Sequence, residues 1–120
     1  MSFEPFQIVR VPFPFTDRAS SMRRPALILS DDIEFNAPIG HAVMAMITSQ
    51  SHAPWPLDCA ITDLKSAGLP APSVVRFKLF TLDHRLVLGV LGALAPEDTA
   101  AVRSNLHRLL ASALDPPSTT

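Results

Sequence analysis

The sequence is poor in cysteine and has no long apolar run. Cys59 is the single cysteine among 120 residues, which excludes a disulfide within the chain, and we expect a reduced, buried thiol without a catalytic role. No stretch approaches the roughly 20 consecutive apolar residues that a membrane-spanning helix needs. Residues 1–5 lack the basic and apolar regions of a secretion signal, so we expect a cytoplasmic protein.

The chain is also poor in charge, with 18% charged residues and a net charge of −1. This balance argues against a protein that coats nucleic acid non-specifically. The charges are unevenly distributed, however. Residues 1–30 hold four basic and two acidic groups. Residues 31–66 hold one basic and five acidic groups, and residues 67–95 hold three basic groups and one acidic group. A local anion site is therefore compatible with a chain that has no overall basic field.

Apolar residues, by contrast, are abundant and make up 48% of the chain. A small domain cannot easily bury so much apolar surface, which favours a dimer or a tightly bound partner. The length suits a single domain, which we place at residues 1–114, followed by a flexible tail at residues 115–120.

Short alternating or apolar segments predict several strands. We place them at residues 7–13, 25–30, 41–49, 57–61, 73–81 and 86–94, and we expect the first to be half-buried. Pro96, Glu97 and Asp98 are typical of a helix start. The leucines after them keep helical spacing, so one stripe is predicted to pack on the sheet. Many short strands with one terminal helix predict a mainly β fold, a small and strongly bent sheet or barrel.

Two adjacent arginines stand at the start of the second strand. The apolar segment Val11 to Asp17 leads through a polar loop into Arg23, Arg24 and Pro25. Each guanidinium is permanently charged and donates hydrogen bonds in a planar fork, so two of them at a strand mouth are costly without an anion in front of them. A phosphate is the ligand that we expect there.

The order and spacing of several motifs resemble one protein family. The matching segments are Val11 to Asp17, Arg23 to Ser30, Ile47 to Ser49, Ala67 to Leu69, Pro72 to Arg76, Thr81 to Asp83 and Leu91 to Leu94. Together they resemble the PemK/MazF-type toxins of bacterial toxin–antitoxin pairs over about residues 6–114.

The resemblance implies a small SH3-like barrel of the PemK/CcdB type that forms a homodimer. It also implies cleavage of single-stranded RNA without a metal or other cofactor, and neutralisation by a cognate antitoxin. Several relatives carry an acidic residue in the loop before the arginine, where this chain has Arg18 to Met22.

The same resemblance implies two catalytic residues, Arg24 and Thr48. RNA carries its own nucleophile, the 2′-hydroxyl, so the enzyme has to align it, stabilise charge on the phosphoryl oxygens and assist proton transfer. We expect Arg24 to clamp the phosphate and Thr48 to orient the 2′-hydroxyl or the phosphate. The alternatives are an ion pair of Arg24 with Asp31 or Asp32, and a Thr48 that serves only as a β-favouring residue.

Further polar residues are candidates for RNA binding. They are Arg18, Ser20, Ser21, Arg23, Ser49, Gln50, Arg76 and Lys78. The first three lie in the loop that would close over RNA, since loops often carry recognition. For each residue the alternative is a solvated loop, turn or sheet face. Trp55 is able to stack on a base, although packing against the barrel or a dimer partner is its more ordinary role.

The remaining alternatives are a catalytic histidine, a metal site and two rival functions. None of the four histidines has a motif around it, and His52 ranks first as a catalyst because it follows Thr48 closely. The acidic group of Asp31, Asp32 and Glu34 lacks metal-ligand spacing and indicates a solvated turn. The rival functions are a gyrase-binding toxin of the CcdB type and a degenerate family member retained as an antitoxin-binding module. The combination of Arg24 with Thr48 favours the nuclease.

Overall fold

The computed structural model describes residues 2–13 and 22–117. Within these ranges, six strands form one sheet: β1 (Gln7–Phe13), β2 (Met22–Ile28), β3 (His41–Ser49), β4 (Cys59–Ala60), β5 (Ser73–Asp83) and β6 (Gly89–Ala93). Their order is β4-β5-β3-β2-β1-β6, and the paired strands run antiparallel. The helices are α1 (Ala37–Ile39), α2 (Leu64–Ala67) and α3 (Pro96–Leu114), with a π-helical turn at Asp32–Asn36 and a 3₁₀ turn at His84–Leu86.

The predicted mainly β architecture with a terminal helix is confirmed, and the sheet curls into a half-barrel. β1 and β3 occupy the predicted residues, whereas β4 contains only two residues. Asp31, Asp32 and Glu34, which were expected in a solvated turn, lie at the start of a π-helical turn that leads into α1. Within the described ranges, none of the helices has the length and apolar character needed to cross a membrane.

Both faces of the sheet are covered by apolar side chains. One cluster includes Ile8, Leu27, Ile47, Val75 and Val102, and thus reaches α3. The other cluster includes Phe3, Val9, Val11, Ala26, Ile28, Met44 and Leu82. The prediction of a half-buried first strand is therefore wrong. Its successive residues alternate between two buried faces, and in β1 only Arg10 is exposed.

The helical stripe predicted to pack on the sheet does so only at its beginning. Val102 is almost fully buried on α3. Leu109, Leu110 and Leu114 are 39%, 38% and 61% exposed, respectively. The second half of α3 therefore offers apolar surface to solvent.

Two glycines allow α2 to approach β6 closely. A Cβ atom on Gly92 would lie 2.4 Å from the carbonyl oxygen of Ser66, and one on Gly68 would lie 2.1 Å from that of Leu91. Gly68 also has a φ of +72°, a conformation that side chains with a Cβ disfavour. The two elements are packed backbone to backbone, which explains both glycines.

Asp98 connects the start of α3 to the segment that follows β4. Its carboxylate accepts hydrogen bonds from the Thr62 amide at 3.0 Å, the Thr62 hydroxyl at 2.8 Å and the Asp63 amide at 3.0 Å. Burial raises the pKa of Asp98, but the hydrogen bonds from Asp63 and Thr62 outweigh it, so the pKa lies below the ordinary value. The acid that was predicted to favour the helix dipole is therefore also a tertiary anchor.

We expect Asp98→Ala to lower the free energy of unfolding by about 1.5–3 kcal/mol, because buried donors would lose a charged acceptor. Urea unfolding at neutral pH measures the change. Glu97→Ala is the matched control, since Glu97 is an exposed acid in the same helical turn, and its effect should stay within about 0.5 kcal/mol. Equal effects of the two substitutions would contradict the anchoring role.

Candidate functional site

The pairing of β2 with β3 brings the two catalytic candidates together. Ala26 lies opposite Met46 and Ile28 lies opposite Met44. Continuing the same register by two residues places Arg24 opposite Thr48. Because side chains alternate along a strand, both belong to the face that carries the second apolar cluster. The site therefore lies where this apolar face of the sheet reaches the start of β2 and the end of β3.

Arg24 and Thr48 line one cavity of about 210 Å³. Its lining residues are Phe13, Arg24, Met46, Thr48, His52, Trp55, Arg76 and Lys78. They come from β1, β2, β3, β5 and the loop between β3 and β4. The register of β5 against β3 shifts between Ala45 and Met46, and Arg76 then lies opposite Met46. This shift brings the basic residues of β5 to the same cavity.

Arg24 has no acidic partner among the described residues. Its side chain is half-buried, and its Nε is a buried donor without an acceptor. The guanidinium carbon lies 5.0 Å from the centre of the Phe13 ring, a cation–π contact. Asp31 instead accepts a hydrogen bond from the Glu34 amide at 2.9 Å. The alternative ion pair with Asp31 or Asp32 is not formed in the described structure.

Thr48 is joined to a histidine that the sequence motifs do not mark. The Thr48 hydroxyl oxygen and His52 Nδ1 are 2.7 Å apart. The His52 amide donates a hydrogen bond to the Ser49 carbonyl at 3.2 Å, so the chain turns back immediately after β3. The sequence holds only one signal for this contact, namely the four-residue spacing across a polar turn.

Arg76 differs from Arg24 because its charge is balanced. Its Nε and Nη2 donate to the two carboxylate oxygens of Asp58 at 3.2 and 3.0 Å, and Nη2 also donates to the Ala53 carbonyl at 2.8 Å. The guanidinium carbon lies 5.0 Å from the centre of the Trp55 ring. Arg76 is 9% exposed and therefore does not lie on a solvated sheet face. It holds the loop that borders the cavity.

Asp58 completes this anchor. Burial raises the pKa of its carboxyl, but the hydrogen bonds from Arg76 and the Trp55 amide outweigh burial and lower the pKa below its ordinary value. The Trp55 amide donates to Asp58 at 2.9 Å. Trp55 itself remains 46% exposed beside the cavity.

The other RNA-binding candidates have different positions. Lys78 is exposed and lines the same cavity as Arg24. Arg23 and Ser49 line a neighbouring cavity of about 400 Å³ that also includes Arg24 and Thr48. Gln50 is exposed, and its amide donates to the Pro72 carbonyl at 3.1 Å. Arg18, Ser20 and Ser21 lie outside the described residues.

Cys59 is buried away from this cavity. Its thiol is free, and burial raises its pKa, which disfavours the nucleophilic thiolate. The predicted buried thiol is confirmed.

Across residues 2–13 and 22–117, no group of three or more His, Cys, Asp or Glu side chains is arranged to hold a metal ion.

We expect Asp58→Asn to lower the free energy of unfolding at neutral pH by about 1.5–3 kcal/mol, since Arg76 would lose a charged acceptor. The folded-state pKa of Asp58 is depressed, so its contribution is complete above the ordinary value of 3.8 and is lost as the pH falls through the lower folded value. The difference between variant and wild type should therefore shrink in acid. Urea titrations at a series of pH values measure it.

Asp115→Asn is the control for this experiment. Asp115 pairs with His107 at 3.2 Å on an exposed part of α3, and exposed pairs contribute about 0–1 kcal/mol. The fluorescence anisotropy of Trp55, the only tryptophan, should fall in Asp58→Asn and stay unchanged in the control. Unchanged stability and anisotropy in Asp58→Asn would refute the anchoring of the loop.

Known structures share this architecture. The chain superposes on MazE–MazF from Deinococcus radiodurans with a TM-score of 0.69 and 22% identity, covering 92% of this chain and 96% of that one. An endoribonuclease in complex with its cognate antitoxin from a mycobacterial species gives a TM-score of 0.70 and 17% identity, with 92% and 94% covered. MazF from D. radiodurans gives a TM-score of 0.69 and 24% identity, with 92% of this chain and 98% of that one covered.

These likenesses concern the fold, since identity is low. No curated protein sequence matches the chain significantly. The family model of the PemK-like, MazF-like toxins of type II toxin–antitoxin systems, however, matches residues 4–110, which is most of the chain and includes every described residue of the cavity. The chain therefore belongs to the PemK-like, MazF-like toxin family of type II toxin–antitoxin systems.

Proposed function

We infer that this protein is a metal-independent endoribonuclease, the toxin of a type II pair, which cleaves single-stranded RNA by attack of the 2′-hydroxyl on the adjacent phosphate. The products are a 2′,3′-cyclic phosphate and a 5′-hydroxyl. The protein would act in the cytoplasm as a homodimer, and a cognate antitoxin would cover the cavity. Two of the similar structures are described as a MazE–MazF pair and as an endoribonuclease with its cognate antitoxin.

The proposal depends on Arg24, which has no acidic partner among the described residues and lines one cavity together with Thr48. A half-buried guanidinium without a carboxylate is costly unless an anion binds there. A bridging phosphate of RNA is such an anion, and its two free oxygens match the planar fork of donors. A donor that is already in place when negative charge grows on the phosphoryl oxygens favours the transition state.

The neighbouring residues suit a strand of RNA. Lys78 adds a second cation to the cavity, and the exposed indole of Trp55 offers a face on which a base can stack. Arg23 and Ser49 border the adjoining cavity, where the next nucleotide would lie. We retain Arg18, Ser20, Ser21 and Gln50 as proposed backbone contacts. Arg76 contributes by holding the loop rather than by a free charge.

Dimerisation would cover apolar surface that a monomer leaves exposed. Val90 on β6 is 48% exposed, and the end of α3 presents the three leucines described above. Exposed apolar residues of this number favour contact with another protein surface.

Arg24→Ala should lower the rate of RNA cleavage by about 10²–10³-fold, the usual effect of removing one donor to a developing anion. Thr48→Val, which removes only the hydroxyl, should lower it by about 10–100-fold, the equivalent of one hydrogen bond to a charged group. The assay is cleavage of a long single-stranded RNA in EDTA, with the 3′ and 5′ ends of the products identified chemically.

Arg108→Ala and Thr48→Ser are the matched controls. Arg108 is an exposed arginine of α3 that does not line the cavity, so its loss should leave the rate unchanged, and Thr48→Ser keeps the hydroxyl. Full activity in both Arg24→Ala and Thr48→Val would refute the assignment. An intact RNA together with a trapped topoisomerase–DNA complex would favour the CcdB-like function, and an inert protein that still binds an antitoxin would favour the degenerate module.

A further inference from the structure

The hydrogen bond between Thr48 and His52 lies at the wall of the cavity. The two side chains are 2.7 Å apart at Oγ1 and Nδ1, and both line the space in front of Arg24. The turn after β3 produces this contact. The turn is closed by the hydrogen bond that the His52 amide donates to the Ser49 carbonyl. Within this turn, the hydroxyl oxygens of Ser49 and Ser51 are 2.8 Å apart.

The loop that carries His52 is attached on its other side as well. The residue directly after His52, Ala53, accepts the hydrogen bond from Arg76, and the Trp55 amide donates to Asp58. An exposed imidazole on an otherwise unattached loop would sample many positions. Here, anchors on both sides keep its ring beside Thr48.

We propose that His52 is the general base of the RNA cleavage reaction, an inference that rests on the proposed function. The contact with Thr48 is compatible with the tautomer that this role needs, because a hydroxyl oxygen accepts hydrogen bonds as well as donating them. With the hydrogen on Nδ1 donated to Thr48 Oγ1, Nε2 retains its lone pair and is able to accept a proton. The Thr48 hydroxyl hydrogen is then available for a phosphoryl oxygen held by Arg24. One hydroxyl thereby orients both the base and the phosphate.

In this step one phosphorus–oxygen bond forms and one breaks. His52 Nε2 takes the proton of the 2′-hydroxyl while the 2′-oxygen forms its bond to phosphorus. The bond from phosphorus to the 5′-oxygen breaks, and that oxygen leaves with the electron pair and takes a proton from water. The imidazolium returns its proton to the hydroxide thus formed. Arg24 stabilises the negative charge on the phosphoryl oxygens throughout.

The other groups around the cavity do not suit proton abstraction. Arg24 comes from β2, and Arg76 and Lys78 come from β5; all three are cations without a free lone pair. Both oxygens of Asp58 already accept hydrogen bonds from Arg76. His52 is therefore the one nitrogen base with a lone pair available among the described residues that line the cavity.

The test compares kcat and kcat/KM of wild type and His52→Gln over a range of pH, in EDTA. Wild-type kcat/KM should fall toward acidic pH, because a protonated base cannot accept the proton of the 2′-hydroxyl. His52→Gln should lose about 10²–10⁴-fold in kcat with little change in KM, the usual contribution of a general base. Its profile should lack the acidic limb. Added free imidazole should partly restore the rate of His52→Ala but not that of Arg24→Ala.

A second measurement does not depend on cleavage. Nitrogen-15 NMR of the neutral His52 ring should find the hydrogen on Nδ1 in wild type and a shift toward Nε2 in Thr48→Val. His107→Gln is the matched control, because His107 is an exposed histidine of α3 outside the cavity, and its rate and pH profile should equal those of wild type. Thermal unfolding of each variant checks that the fold is kept.

The outcomes separate this inference from the function on which it rests. If wild type cleaves RNA and Arg24→Ala is impaired, but His52→Gln keeps the rate and the acidic limb, then the function stands and the role of His52 is wrong. If wild type leaves RNA intact, both are overturned. A His52→Gln variant that loses kcat but keeps the acidic limb would also overturn the proton-transfer role.

Discussion

The antiparallel register of β2 against β3 is the constraint on which the site depends. Arg24 and Thr48 are separated by most of two strands and the connection between them, yet the register that pairs Ala26 with Met46, extended by two residues, brings them to one cavity. A shift by one residue would turn Arg24 toward the other face, because the side-chain period of a strand is two. Burial of Ala26, Ile28 and Met44 in the second apolar cluster prevents that shift.

Two arginines in the same cavity have opposite electrostatic surroundings. Arg76 donates to Asp58 and the Ala53 carbonyl, so its charge is neutralised and its role is to position the loop. Among the described residues, Arg24 contacts the Phe13 ring and has no acidic partner, and its buried Nε has no acceptor. A cation that lacks an internal anion is the one available to an external anion. The distinction between structural and functional arginine follows from partners, not from residue type.

The loop after β3 connects stability to chemistry. It carries His52 and Trp55 to the cavity, and its anchor is a partly buried ion pair with side-chain exposures of 11% and 13%. Preorganisation of this kind favours catalysis, because polar groups need not rearrange when the substrate arrives. In this protein the same contact therefore contributes to folding stability and to the geometry of the proposed reaction.

The sequence by itself determined the mainly β class, the bounds of β1 and β3, the start of α3 and the position of two arginines near the start of a strand. These features follow from local patterns, namely the spacing of apolar residues and the positions of prolines and charges. Only the tertiary structure decided that β1 is buried on both faces and that Asp98 anchors α3. It decided that Arg76 pairs with Asp58, whereas Arg24 has no acidic partner among the described residues. It also decided that His52 meets Thr48. Each of these depends on contacts between residues distant in the chain or on the path of a turn, and neither composition nor spacing encodes which polar group finds which partner.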